Sequence, residues 1–81
     1  MKHNEIKDIV IGFLTEEFEI DGDLIKDDAP MQQTLDLDSL DYVDMVVIID
    51  ENFGFKMVAE DFVGILTFKD FYDFIGRKVA V

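Results

Sequence analysis

The chain has 81 residues, 49% of them apolar, and carries 19 acidic against 7 basic side chains for a net charge of −12. Its size and apolar content describe one small domain over residues 1–81 with a packed core, and speak against disorder despite the charge. The acid excess excludes nucleic acid and stable attachment to anionic membranes, favours basic protein partners and opposes self-association, while the absence of cysteine excludes any thiol chemistry from the chain itself.

In chain order, Met1 to Asn4 lead into an amphipathic pattern with no run long enough for a signal peptide or a membrane span. The expectation is a cytoplasmic monomer. Ile6, Ile9, Val10, Phe13, Leu14 and Phe18 recur with helical period and predict a first helix, with Asn4 as its cap. Periodicity is lost over residues 19–38, where Asp21-Gly22-Asp23, Lys26-Asp27-Asp28 and Pro30 mark turns. So long a connector belongs in a compact domain only if it is pinned or functional. Ile20, Leu24, Ile25, Met31, Leu35 and Leu37 are its candidate anchors.

The second predicted helix runs from about Ser39 to Phe53, with Asp38 as N-cap and Asp41 three residues later in capping-box-like spacing. At about 100° per residue, Tyr42, Met45, Val46, Ile49 and Phe53 share one face, which is the expected core face. Leu40, Val43, Val47 and Ile48 point elsewhere, among Asp41, Asp44, Asp50 and Glu51. A helix that only closed a core would not carry large aliphatic residues ringed by carboxylates on its outer side; this second face reads as a docking surface. After Asn52-Phe53-Gly54, a short third helix is expected around Ala59–Gly64. A last helix starts at Thr67, with Asp70 again three residues on and Phe68, Phe71, Tyr72, Ile75 and Val79 in helical spacing. The sum is an all-α four-helix bundle: three longer helices, one short third helix, and a long loop between helices one and two.

Ser39 stands where that loop enters the second helix. No histidine, lysine or cysteine lies near it in sequence, so it is a poor nucleophile on its own account. Two readings remain open from position alone. Ser39 is an ordinary capping residue, or it is a handle that another enzyme modifies, since backbone amides and the helix dipole favour an anion in the first turn. Other chemistries fit poorly. Asp36, Asp38 and Asp41 hint at a calcium loop, but Asp41 falls where the sixth-position glycine belongs and Val47 where the closing glutamate belongs. His3 is the only histidine, which leaves metal and triad roles without support. Met31, Met45 and Met57 read as core gap-fillers.

The segment Leu35-Asp36-Leu37-Asp38-Ser39-Leu40-Asp41 resembles the attachment motif of the discrete acyl carrier proteins, and the likeness covers the whole chain in length, charge and helix order. It implies a 4′-phosphopantetheine arm on Ser39, attached by a phosphopantetheinyl transferase and carrying acyl groups as thioesters between enzymes of fatty-acid or related acyl-chain synthesis. It implies no catalysis by the chain itself. Leu40, Val43 and Val47 match the family's exposed aliphatic contacts, and Asp38, Asp41, Asp44, Asp50 and Glu51 its acidic contacts to basic patches on partner enzymes. Three departures bear on the acyl cavity: Asp36 stands where the family usually has glycine, Tyr42 where it has a small or aliphatic residue, and Phe62 and Met57 replace smaller residues. They imply unusual cargo, or a cavity smaller or shifted. Two further readings stand beside this one: a carrier for a specialised polyketide-like or aminoacyl pathway, and an unmodified acidic helical adaptor for a basic protein.

Overall fold

The computed structural model describes residues 2–79. Helix α1 spans His3–Glu17, α2 Met31–Leu35, α3 Ser39–Phe53 and α4 Phe68–Val79, with short 3-10 turns at Gly22–Leu24 and Ala59–Gly64. The architecture is an all-α bundle, and the described residues contain no strand, only a single isolated bridge between Pro30 and Thr67. No helix among the described residues is long and apolar enough to cross a membrane.

The expected periodicities build the core. Ile6, Val10, Phe13 and Leu14 of α1 pack with Phe68, Phe71, Tyr72 and Ile75 of α4, and Met45 and Ile49 of α3 close the bundle. Met31, Met45 and Met57 are all wholly buried, as gap-fillers would be. No charged side chain enters this core, so burial of apolar surface supplies its stability.

The ends of the helices follow the side chains available there. The Asp38 carboxylate accepts a hydrogen bond from the Asp41 amide at 3.0 Å and starts α3. Gly54, in the left-handed region at φ 76°, ends it and donates its amide to the Asp50 carbonyl. Before α4, the Thr67 hydroxyl accepts from the Asp70 amide, while the Asp70 carboxylate accepts from the amides of Thr67 and Leu66. Those backbone donors hold the Asp70 carboxyl below its ordinary range. At α1 the expectation fails: Asn4 lies inside the helix, Lys2 is the N-cap, and no side chain caps it. The Lys2 carbonyl takes the amides of Glu5 and Ile6 instead, so the helix begins without a polar cap.

The long connector is ordered, and it contains a helix that periodicity did not reveal. Met31 and Leu35 are buried four residues apart, and the five-residue α2 forms around that pair. Ile25 also anchors the segment, and Ile20 and Leu37 pack against the core; Leu24, at 54% exposure, does not. Backbone bonds tie the connector to the approach and first turn of α4: Met31 to the Leu66 carbonyl at 3.0 Å, Phe68 to Ala29 at 3.4 Å, and Lys69 to Asp27 at 2.9 Å. An ion pair of 3.0 Å between Lys7 Nζ and Asp27 Oδ1 ties it to α1.

The connector ends in a strained residue. Asp36 follows α2 at φ 48°, in the left-handed region, and its amide donates to the Gln32 carbonyl. This is the departure from glycine noted above, and the conformation is the one glycine suits best. A β-carbon there costs roughly 1–2 kcal/mol, of which glycine's extra unfolded-state entropy cancels about half. Asp36→Gly is therefore expected to stabilise the fold by about 0.5–1 kcal/mol. An Asp36→Asn control, read in the same urea titration, separates backbone strain from the lost negative charge.

Candidate functional site

Ser39 is the first residue of α3, and its side chain is exposed. The local fold follows from its neighbours. Asp36 turns the chain, Leu37 tucks against the core, and Asp38 caps the helix with its carboxylate. With that cap supplied by Asp38, the Ser39 hydroxyl makes no hydrogen bond among the described residues. The Asp38 side chain takes the Asp41 amide and its carbonyl takes the Tyr42 amide. The amides of Ser39 and Leu40 are left without backbone partners at the positive end of the helix.

Below Ser39 opens an apolar cleft of about 460 Å³. One wall comes from α3, through Tyr42, Val43 and Val46; the other comes from Met57, Val58, Phe62 and Val63 in and before the second 3-10 turn. Gln32 of α2 completes it and donates its Nε2 to the Phe62 carbonyl at 3.2 Å. Burial also raises the pKa of the Tyr42 phenol above its ordinary value. The Ser39 hydroxyl is thus free of bonds, beside free amides and above an apolar cleft.

On the second face of α3, Leu40, Val43 and Val47 lie where the angular reading placed them. Leu40, Val43 and Val47 are 74%, 59% and 52% exposed. Asp38, Asp44 and Glu51 are exposed, and Asp41 and Asp50 are half-buried at its edges. Neither α1 nor α3 has a basic residue in its last turn, so the acids there add to the negative end of each dipole. Glu17 and Phe18 of the α1 end join Asp44, Val47, Ile48 and Glu51 around a single groove.

Three expectations need correction. Ile48, expected outside, is half-buried and packs against the core, because the end of α1 lies over that flank of α3. Tyr42 and Val46, expected in the core, do pack against it but are only half-buried, because they also line the cleft. Phe53 is likewise half-buried, its ring 6.4 Å from that of Phe55. Sequence reasoning also missed Gln32, Val46, Val58 and Val63 as cleft residues. Gln32, Val58 and Val63 lie in segments without clear period, and the period of α3 placed Val46 on the core face without showing the cleft.

The sequence profile of the phosphopantetheine attachment site family matches residues 8–75. Similar curated proteins include an acyl carrier protein of Thermosynechococcus vestitus, 30% identical over 80 residues that make up 99% of each chain. An acyl carrier protein of Prochlorococcus marinus is 32% identical over 78 residues, 96% of this chain and 98% of its own. One of Lactobacillus johnsonii is 34% identical over 61 residues, 75% of this chain and 76% of its own.

Proposed function

Because the chain belongs to the acyl carrier protein family, we propose that Ser39 bears its phosphopantetheine arm. The family's members are carriers and not catalysts, so the chain itself performs no reaction step. The observation that carries the assignment of Ser39 is its exposed hydroxyl, unbonded at the start of α3 and opening onto an apolar cleft. A phosphodiester there would meet the free amides of Ser39 and Leu40. The arm, when bound, supplies the thiol on which acyl groups travel as thioesters, and which this cysteine-free chain lacks.

Attachment is a group transfer. The Ser39 Oγ forms a new bond to the β-phosphorus of coenzyme A, the pyrophosphate bond breaks, and 3′,5′-adenosine bisphosphate leaves. A Mg²⁺-dependent phosphopantetheinyl transferase performs this step, and the serine proton leaves to its base. Val43, Val46 and Met57 offer the attached acyl chain a wall away from water. Acyl-chain synthesis enzymes, of the fatty-acid pathway in the reading we favour, then dock on the acidic face of α3 through basic patches. Leu40, Val43 and Val47 would give each of them a small apolar contact. Binding of that kind is fast and readily reversed, as a carrier that visits several enzymes requires. The charge of −12 favours a monomer throughout.

Intact-protein mass after incubation with coenzyme A and a broad-specificity transferase tests the assignment: the gain of one phosphopantetheine is expected. Asp44→Lys with Glu51→Lys removes four units of charge contrast from the docking face. That double variant is expected to lower kcat/KM of the transferase about tenfold or more at low salt, with the difference shrinking at high salt. Equal rates at low salt would move the docking surface away from α3.

A further inference from the structure

The cleft below Ser39 ends on two aromatic rings. Phe62 is almost wholly buried and meets Tyr42 edge-on, with ring centroids 5.0 Å apart and planes at 60°. Its other side faces Phe71, 6.1 Å away at 38°. Phe62 and Tyr42 line the cleft, whereas Phe71 belongs to the fully buried core of α4. With Met57, which also lines the cleft and is buried, the Phe62 ring therefore forms the partition between cleft and core.

That partition is held in place. The Phe62 carbonyl accepts from both Gln32 Nε2 at 3.2 Å and the Ile65 amide at 3.1 Å, fixing the backbone beneath the ring. The edge-on pair adds its own attraction. Behind it the core is filled to zero exposure at Phe68, Phe71 and Ile75, and a close-packed interior does not yield to extra methylenes without strain. A chain descending from Ser39 is turned aside at Phe62. In front of the ring the cleft amounts to about 460 Å³, which the groups of a sixteen-carbon chain, at about 30 Å³ each, exceed before any of the arm is counted.

We propose that Phe62, backed by Tyr42, sets the class of acyl group this carrier shelters: short and medium chains lie in the cleft, and long chains such as hexadecanoyl extend into solvent. The inference rests on acyl loading at Ser39 and adds a length limit to it.

The test loads the full chain from butanoyl-, octanoyl- and hexadecanoyl-coenzyme A with the transferase, verifies each product by intact mass, and then melts it. In the parent, the octanoyl form is expected to melt several degrees above the butanoyl form, and the hexadecanoyl form no higher than the octanoyl. In Phe62→Ala the hexadecanoyl form is expected to melt above the octanoyl form. Phe62→Leu, a smaller change that keeps the core closed, is expected to shift the profile the same way by less, and stands in if the alanine variant does not fold. A parent hexadecanoyl form melting well above the octanoyl form overturns the limit. So does the same profile in parent and variants. Absence of the mass gain is a separate result, read before any melting, and it would remove the attachment at Ser39 itself.

Discussion

Ser39→Ala is expected to take up no phosphopantetheine while folding as the parent does. The two halves of that outcome come from different atoms. Loading would require the hydroxyl, because in the proposed attachment the new phosphodiester bond is made to the Ser39 Oγ. Folding does not require it, because the α3 cap is the Asp38 carboxylate, 3.0 Å from the Asp41 amide, and the hydroxyl itself is unbonded. Had Ser39 been the cap, its loss would cost about 1 kcal/mol. In the first helical turn, alanine replaces serine with little change, within about 0.5 kcal/mol. Mass spectrometry reads the first half and urea denaturation the second. The same pair of measurements disposes of the adaptor reading, in which loading never occurs in either chain. Uptake by the alanine variant would move the attachment site to another residue.

The second large effect is expected at high pH. Tyr72 is fully buried in α4, and its hydroxyl has no hydrogen-bond partner among the described residues. Burial, and then the negative charge of Asp27, push its pKa from 10.0 to about 12. Between those values the unfolded chain has lost the phenolic proton and the folded chain keeps it. The folded state thus binds more protons, and stability falls as pH rises through this window, by roughly 2–3 kcal/mol in all. Below pH 10 the whole of that contribution is present. Tyr72→Phe is expected to lack this fall, and to be as stable as the parent or more so at neutral pH, since it removes a buried hydroxyl that bonds to nothing. His3 stacks edge-on against the Tyr72 ring, centroids 5.7 Å apart, and a phenylalanine keeps that contact. Urea midpoints measured from pH 8 to pH 12 on both chains check it: parallel curves would mean that the phenol ionises alike in both states.

Much of this was legible in the sequence because it was local. The Asp38 cap, the bounds of the long helix from Ser39 to Phe53, the short turn at Ala59–Gly64 and the Thr67–Asp70 start of α4 all depend on residues within four places of one another. The exposed Leu40, Val43 and Val47 were found for the same reason, since a helix fixes which side each residue takes. What was not legible depended on partners far along the chain. Nothing in the period of α3 says that Tyr42 and Val46, which pack against the core, also line a cleft, because the opposing wall comes from Met57 and Phe62. Ile48 is covered by the end of α1, which its own helix does not announce. Asn4 looked like a cap by residue type, yet the helix had already begun one residue earlier. The bulk at Tyr42, Met57 and Phe62 was noted from the sequence, but not that it leaves an open cleft with a closed floor.

The three backbone bonds from the connector to the α4 end of the chain have a further meaning for how the molecule opens. Asp27, Ala29 and Met31 are held by Lys69, Phe68 and Leu66, across nearly half the sequence. A segment held this way cannot fray by itself, since its protection is lent by a helix formed from the other end of the chain. The connector and α4 therefore form one cooperative unit, and their amides should exchange with solvent together. The 3-10 turn that carries Phe62 is joined to this unit through Gln32, whose Nε2 donates to the Phe62 carbonyl. The segment that leads into Ser39 is thus anchored from the far end of the chain and not by its own neighbours.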